Sequence, residues 1–354
     1  MWNNSRLPRL FGIKYPIIQS PMAGSDGPRL TAAVANAGAL GSLGLSGFGP
    51  DDIAAMAAEA RAATNGSINL NFLIFKTPPF DATVWARATG AAAGLYAEAE
   101  IAPPQDAGAS NEVDAARLRA AIDRGPQVMS FHFALPEPPL LDEVRAAGIK
   151  VIASATSIVE ARALEDAGVD AIIAQGWEAG GHRGIHRNPQ ALTDGAGETG
   201  TLALVPAVVD AVSVPVIAAG GIADARGIAA AFMLGAEGVQ MGTAFLQCPE
   251  SVVPQAHRDA LAEADASDTR ITRGISGRPA RAIRNRLTEA LAEHDDAVAP
   301  YPLQFDVIAP LRDLGRREYM ALWAGQGVGL TTAEPAGELV ERLACQAQAL
   351  LEGA

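Results

Sequence analysis

Residues 215–243 read PVIAAGGIADARGIAAAFMLGAEGVQMGT, and this stretch decides the fold. An apolar run, Pro215–Ala219, is followed by a Gly-Gly turn, a helix-like segment over Ala223–Leu234 and a second apolar run, Gly238–Met241. Runs that are apolar throughout and joined by single helices predict parallel strands with right-handed crossovers. The stretch therefore predicts one repeating unit of a parallel α/β protein.

The same alternation extends back to the start of the chain. Eight apolar runs are predicted as strands: Pro16–Ser20, Ala39–Gly44, Ser67–Phe72, Gln127–Phe131, Lys150–Ser154, Asp170–Ala174, Pro215–Ala219 and Gly238–Met241. Eight units of this kind favour an α/β fold of the (β/α)8 TIM-barrel type over an open doubly wound sheet. In a TIM barrel the catalytic groups follow the carboxyl ends of the strands, so unusual residues there are the candidates for a site.

The pattern changes after the eighth strand. Residues 248–320 are more charged, show no clear strand alternation and include helix-like segments at Pro254–Ala264 and Ile283–His294. We expect this region to form a helical lid subdomain over the mouth of the barrel. A final helix at Pro335–Leu351 is expected to return to the barrel wall, so that residues 1–247 and 321–354 form the barrel.

Composition excludes several classes of protein. The 354 residues include 27 Lys and Arg against 40 Asp and Glu, a net charge of −13, which disfavours nucleic-acid binding. The most apolar region, Val214–Leu246, contains charged residues and cannot cross a bilayer, and the first residues lack a secretory signal. Cys248 and Cys345 lie too far apart for a metal motif, and we expect no metal. We expect a cytoplasmic protein that acts on small molecules, as a monomer or a homodimer.

Three strand ends carry residues that are uncommon in an ordinary turn. The first leads into Pro21-Met22-Ala23-Gly24, where a rigid proline and a flexible glycine allow backbone to approach a flat ligand, although a plain turn is the alternative. The third holds Asn69 and Asn71 on one side of the strand, which indicates a polar role at the mouth. The fourth ends at His132 between two phenylalanines, a setting more typical of packing than of contact with substrate.

The loop after the sixth strand is the most informative segment. Residues 175–184 read QGWEAGGHRG, in which Gly180 and Gly181 free the backbone for a close approach to a ligand. His182 is a candidate general base near neutral pH, and a neighbouring cation such as Arg183 favours its neutral, proton-accepting form. The alternative is a glycine hinge with solvated charges.

The last two strand ends suit a phosphate group. The seventh is followed by Gly220-Gly221 and a polar residue, Asp224, at a helix start, and the eighth contains Gln240-Met241-Gly242-Thr243. TIM barrels often bind phosphate at the loops after strands seven and eight, through backbone N–H groups and a helix N-terminus. The sequence contains neither a Walker nor a Rossmann phosphate motif.

Taken together, these segments resemble the FMN-dependent nitronate monooxygenases, formerly called 2-nitropropane dioxygenases. The resemblance covers nearly the whole chain, because Gly277–Arg281, Asn285-Arg286 and Leu322–Gln326 also look like the lid and closing segments of that family. It implies an FMN-binding barrel that oxidises alkyl nitronates, such as propionate 3-nitronate, with O2 to a carbonyl compound and nitrite or nitrate.

The resemblance also implies roles for individual residues. His182 matches the histidine that lies by the flavin and takes a proton next to the nitro group. Apart from the resemblance, His132 and Arg183 are candidates for contact with substrate because of their positions after strands four and six. The residues that match the FMN-binding segments are Pro21, Met22, Ala23, Gly24, Asn71, Gln175, Gly180, Gly181, Gly220, Gly221, Gln240, Met241, Gly242 and Thr243. Arg183 and the lid arginines are expected to attract an anionic substrate to this acidic protein.

Two departures from the family pattern and two rival functions remain. The chain has Phe75 where members often have histidine, and Ala134 where they often have glycine, so substrate preference is open. Within the same fold, a flavin reductase that uses NAD(P)H to reduce a quinone or an enoyl thioester is the main rival. A barrel that binds a phosphate ligand without redox chemistry is the rival from another class.

Overall fold

The computed structural model describes residues 2–108, 111–186 and 197–353. The strands in these ranges are β1 (Ile17–Gln19), β2 (Gly41–Gly44), β3 (Ile68–Leu73), β4 (Val128–His132), β5 (Lys150–Ala155), β6 (Ala171–Gln175), β7 (Gly181–His182), β8 (Val216–Ala219), β9 (Gly238–Met241), β10 (Thr269–Thr272) and β11 (Ala280–Ile283). Within the described residues, eight strands pair in parallel in the order β1-β9-β8-β6-β5-β4-β3-β2. A parallel bridge between Ile18 and Leu40 closes the ring, and the predicted TIM barrel is confirmed.

Helices fill the connections between the barrel strands and cover the region after β9. They are α1 (Leu7–Phe11), α2 (Pro28–Asn36), α3 (Pro50–Ala63), α4 (Ala82–Ala91), α5 (Ala93–Glu98), α6 (Ala115–Ile122), α7 (Pro138–Ala146), α8 (Ile158–Asp166), α9 (Thr201–Val209), α10 (Ala225–Met233), α11 (Thr243–Leu246), α12 (Gln255–Glu263), α13 (Arg286–Ala292), α14 (Leu303–Arg312) and α15 (Ala336–Glu352). Helices α2, α3 and α7 begin with proline, whose fixed φ and missing N–H suit a first helical position. The side chains of Ser157 and Asp224 accept hydrogen bonds from backbone N–H groups at the starts of α8 and α10.

Apolar side chains form one layer between the strands and the outer helices and a second layer inside the barrel. The outer layer includes Leu339 and Leu343, so α15 returns to the barrel wall as predicted. In the inner layer, Leu7 and Phe11 of α1 pack with residues at the beginnings of strands, such as Val128. Helix α1 therefore covers the amino-terminal end of the barrel, and the functional site is left to the opposite end.

The region after β9 contains strands as well as helices. β10 and β11 pair antiparallel, with Thr269 opposite Ile283, and β11 also pairs with β7, with Ala280 opposite His182. The expectation of a lid without strands is therefore corrected. Each of the two lid strands has four residues, a length at which an alternating pattern cannot be distinguished from a helix or a loop.

An earlier segment of the chain packs against this region. Trp85 of α4 and Leu95 and Tyr96 of α5 share an apolar cluster with Val307 and Leu311 of α14. The Tyr96 hydroxyl also donates a hydrogen bond of 2.5 Å to the carbonyl of Val307. The boundaries at residues 247 and 321 remain a prediction, and this packing argues for a lid that includes residues 82–98. Among the described residues, none of the helices is long and apolar enough to span a membrane.

Candidate active site

A cavity of about 480 Å³ lies at the carboxyl ends of the barrel strands, beneath the lid. Most of the residues predicted to hold a cofactor line it: Pro21, Met22, Ala23, Asn71, Gln175, Gly180, Gly181, Gly220, Gly221, Gln240, Gly242 and Thr243. His132 and His182 line it as well. The fold thus brings together segments that are more than 200 residues apart in the sequence.

Two predicted cofactor residues, Gly24 and Met241, do not line the cavity. Side chains alternate along a strand, so Gln240 faces the cavity while Met241 is buried in the outer apolar layer. Gly24 adopts a φ of +80° within its turn, between two neighbours that do line the cavity. The predicted contact of Gly24 with the cofactor remains a prediction.

One wall of the cavity consists mainly of glycine backbone. Gly220 and Gly221 have φ values of +114° and +71°, in the left-handed region that favours glycine. A Cβ added to Gly180 would lie 2.5 Å from the backbone nitrogen of Gly325, so no larger residue fits there without a shift of backbone. We call the wall formed by Gly180, Gly181, Gly220, Gly221 and Gly242 the backbone wall.

The start of helix α10 differs from the predicted phosphate site. The Asp224 carboxylate accepts hydrogen bonds from the backbone nitrogens of Arg226 and Gly227, at 3.0 and 3.1 Å. A negative side chain already occupies this N-terminus, so it is a poor position for a phosphate. The backbone at Gly220-Gly221 and at Gly242-Thr243 remains the better candidate.

A second part of the cavity surface consists of side chains around His182. The imidazole Nε2 lies 2.9 Å from the hydroxyl oxygen of Ser276, a buried lid residue. The rings of Phe133, Tyr301, Phe305 and Trp323 surround the imidazole, with centroids 5.3 to 6.1 Å from its own. We call His182 and these four aromatic residues the side-chain wall, in which Phe133 lies behind the residues that line the cavity.

Ser276 determines which nitrogen of His182 is available. Its hydroxyl also lies 3.3 Å from the carbonyl oxygen of Arg278 and can donate to it. If it does, the hydroxyl accepts the hydrogen bond from His182, which places the ring proton on Nε2. Nδ1 has no hydrogen-bond partner among the described residues and is not sealed from the cavity. With the ring proton on Nε2, Nδ1 is the nitrogen of His182 that is left to accept a proton.

The environment of His182 keeps its imidazole neutral. Burial, together with the nearby His132 and Arg278, lowers the pKa of His182 from 6.5 to about 3. The cation beside His182 is thus Arg278, whose guanidinium carbon lies 3.7 Å above the centre of the Phe133 ring. Near neutral pH the imidazole carries a lone pair and can accept a proton.

Arg183 lies on the other side of its strand, away from the cavity. It is fully buried and donates hydrogen bonds to the backbone carbonyls of Gly176, Gln175 and Gly197. The predicted contact between Arg183 and substrate is therefore wrong. Consecutive residues of a strand face opposite sides, so the residue after His182 points into the protein. Arg183 instead holds the loop after β6 in shape, together with Gln175, whose side chain bonds His182 and Gly184.

His132 lines the cavity, but both of its ring nitrogens already have protein partners. Nδ1 lies 2.9 Å from the hydroxyl of Ser154, and Nε2 lies 3.1 Å from the carbonyl oxygen of His182. Burial lowers the pKa of His132 to about 3. This ring supports the backbone of His182, and its predicted contact with substrate remains a prediction. Asn71 is similarly engaged, because its amide donates to the carbonyl and hydroxyl of Ser130.

Sequence reasoning covered Arg312 only through the general expectation for the lid arginines, and it missed Ser276, Tyr301 and Phe305. Of these four residues, all but Ser276 line the cavity. They lie in the lid and follow no barrel strand, so no positional rule points to them. Of the two departures from the family pattern, Phe75 lines the cavity with its ring 4.8 Å from that of Tyr301, whereas Ala134 does not line it. Among the described residues, no cluster of three or more His, Cys, Asp or Glu side chains is arranged to hold a metal.

Comparison with known proteins relates this site to one family. The family model for nitronate monooxygenase matches residues 4–346. A Staphylococcus aureus protein named "Probable nitronate monooxygenase" is 36% identical over 362 residues, and the match covers 99% of each chain.

Two solved structures are also similar to this chain over nearly its whole length. A nitroalkane oxidase from Streptomyces ansochromogenes superposes with a TM-score of 0.88 at 37% identity, covering 98% of this chain and 99% of that one. FabK from Thermotoga maritima gives a TM-score of 0.77 at 30% identity, covering 99% and 98%. The chain belongs to the nitronate monooxygenase family of oxidoreductases.

Proposed function

We propose that this protein binds FMN and oxidises alkyl nitronates, such as propionate 3-nitronate, with O2 to a carbonyl compound and nitrite or nitrate. The observation that carries the proposal is the position of His182. Its neutral imidazole lines the same cavity as the backbone wall. A base that shares a cavity with a close-approach surface for a flat ring is the arrangement that this chemistry needs.

The cavity fits FMN in size and in the groups that it offers. Its volume of about 480 Å³ lies in the range of cofactor sites. Gln240 lines the cavity, and among the described residues its side-chain amide nitrogen donates one hydrogen bond, of 3.4 Å, to the Ser20 hydroxyl. The second N–H of this amide is left for an acceptor, and the flavin ring system carries carbonyl oxygens. The cavity-lining residues named above would hold FMN, without Gly24 and Met241.

When bound, FMN supplies the electron acceptor. The residues of the chain have three tasks beside it. Nδ1 of His182 takes the proton from the carbon next to the nitro group when the substrate arrives as a neutral nitroalkane. Ser276 holds the ring so that this nitrogen faces the cavity. The aromatic rings of the side-chain wall exclude water, which strengthens the electrostatic interactions within the site.

Membership of an oxidoreductase family argues against a barrel that binds phosphate without redox chemistry. The test between the flavin functions is anaerobic mixing of the purified protein with a nitronate and, separately, with NADH and NADPH. We expect a yellow protein that releases FMN on heating and is bleached rapidly by the nitronate. Rapid bleaching by a nicotinamide and none by the nitronate would establish the reductase instead.

The role of His182 is tested with His182→Ala, with the exposed His294→Ala as the matched control. We expect His182→Ala to retain FMN and to lose turnover of neutral nitroalkanes by about a hundredfold or more, the usual contribution of a general base. Turnover of preformed nitronates should fall much less, because they need no deprotonation. Equal losses on both substrates would refute proton abstraction by His182.

A further inference from the structure

An acidic protein that takes an anionic substrate needs positive charge close to its site. Several arginines of the lid already make hydrogen bonds or ion pairs with other protein groups. Arg278 donates to the carbonyl of Ile185, and Arg281 donates to the carbonyl of Trp177. Arg286 pairs with Glu98. Of the arginines in the described ranges, Arg312 alone lines the cavity.

Arg312 is the last residue of α14, and its guanidinium is not engaged by the protein. It makes no hydrogen bond or ion pair with any described residue. Its central carbon lies 5.2 Å from the centre of the Phe305 ring, and that ring in turn lies 6.1 Å from the His182 ring. The cation therefore stands one aromatic ring beyond the histidine, along the same side of the cavity.

Two carboxylates lie near Arg312, and neither neutralises it by direct pairing. Asp306 also lines the cavity, but its carboxylate accepts a hydrogen bond of 3.0 Å from the backbone nitrogen of Gly108. Asp306 and Asp313 favour the charged guanidinium, while burial lowers the pKa of Arg312 from its ordinary value. A guanidinium stays protonated in proteins, so Arg312 offers a forked set of donors that matches a planar group with two oxygens.

We propose that Arg312 is the anion-recognition residue of the cavity and binds a planar two-oxygen anion of the substrate, either the nitronate itself or a carboxylate at the other end of its chain. The identification of the nitronate rests on the proposed function, whereas the recognition of an anion does not. The half-buried position against an aromatic ring reduces the hydration of the cation and strengthens its attraction for an anion.

The experiment measures binding by calorimetry to the full-length FMN-loaded protein, with three ligands that cannot react. Butanoate mimics an alkyl nitronate, succinate adds a carboxylate at the far end, and butanamide is the neutral analogue. The variants are Arg312→Gln, which keeps a long side chain over Phe305, and Arg312→Lys, which keeps the charge. Arg316→Ala removes an exposed charge from the same lid and is the matched control.

We expect Arg312→Gln to weaken anion binding about tenfold and to leave butanamide unchanged, with partial recovery in Arg312→Lys and no change in Arg316→Ala. Equal weakening of butanoate and succinate assigns Arg312 to the reacting group. Weakening of succinate alone assigns it to a carboxylate at the far end. Unchanged anion binding in Arg312→Gln, or equal weakening of butanamide, overturns the proposal. If the unmodified protein does not turn over nitronates but the variants show the expected pattern of anion binding, the proposed function is refuted and the anion site is supported.

Discussion

The two walls of the cavity present different kinds of surface. The backbone wall comes from loops at the ends of barrel strands, presents glycines and carries no titratable side chain. The side-chain wall comes from β7, the loop after β4, the lid and Trp323, and it presents an imidazole and four aromatic rings. The backbone wall has no titrating group and, at Gly180 and Gly220, no room for added atoms, whereas a wall of side chains can be altered one group at a time. We therefore expect substitutions in the backbone wall to reduce stability and FMN content, and substitutions in the side-chain wall to reduce turnover.

The largest effect is expected at the backbone wall. In Gly180→Ala the new Cβ would lie 2.5 Å from the Gly325 nitrogen and 2.6 Å from the Ala324 carbonyl carbon. We expect a loss of unfolding free energy on the order of 3 kcal/mol, as for an overpacked site, together with loss of retained FMN. Chemical denaturation and the flavin content after gel filtration measure the two effects.

Gly94→Ala is the matched control, because a Cβ at Gly94 meets nothing within 4 Å. It should leave the flavin content unchanged. If Gly180→Ala behaved in the same way, the close approach of backbone on this wall would not matter for the cofactor.

A smaller and more selective effect is expected at the side-chain wall. Ser276→Ala removes the partner of His182 Nε2 without touching the backbone wall. We expect kcat/KM for neutral nitroalkanes to fall about tenfold, which is 1.4 kcal/mol of transition-state stabilisation, because the ring loses its fixed tautomer and orientation. FMN content and turnover of preformed nitronates should change little.

Ser267→Ala, in an exposed turn of the lid, controls for the loss of a hydroxyl. A fall of the same size for nitroalkanes and nitronates in Ser276→Ala would show a general disturbance of the site and would contradict the positioning role. An altered pH profile for nitroalkane turnover alone would support it.

The last effect is the pH dependence of stability, to which buried groups near the site contribute with opposite signs. His132 and His182 have pKa values of about 3 in the folded protein and near 6.5 when unfolded. As the pH falls from 6.5 towards 3, the unfolded chain takes up these protons and the folded protein does not, so stability is lost. Asp26, whose carboxylate accepts hydrogen bonds from Met22 and Gly44 beside the backbone wall, has its pKa raised by burial to about 7. Its contribution is greatest below pH 4 and is lost as the pH rises through 7.

Acidification from pH 7 to pH 4 should therefore destabilise His182→Gln less than the unmodified protein and Asp26→Asn more. Each group contributes at most about 1.4 kcal/mol per pH unit. Urea unfolding at several pH values measures both slopes. Changes of the same sign in the two variants would contradict this assignment of the titrating groups.

The contrast between the walls also explains what the sequence could predict. Barrel strands are apolar runs joined by helices, and the residues that follow them meet at one end, so His182 and the glycines of the backbone wall were found from position alone. Arg183 was assigned wrongly because its place beside His182 in the sequence puts it on the opposite face of a strand. Arg312 and Ser276 depend on how the lid folds back over the barrel. Short strands and loops of this kind leave no periodic pattern to read.

The pairing of β7 with β11 ties the histidine to the lid. His182 lies opposite Ala280, and the backbone nitrogen of Arg183 donates to the carbonyl of Pro279, at 2.8 Å. A rigid-body opening of the lid would break these backbone hydrogen bonds or move His182 together with the lid. The lid therefore cannot open along the β7–β11 edge while His182 keeps its position in the cavity. If the lid is replaced by the lid of a relative, the loop after β6 must be replaced with it, because β7 in that loop pairs with β11 of the lid.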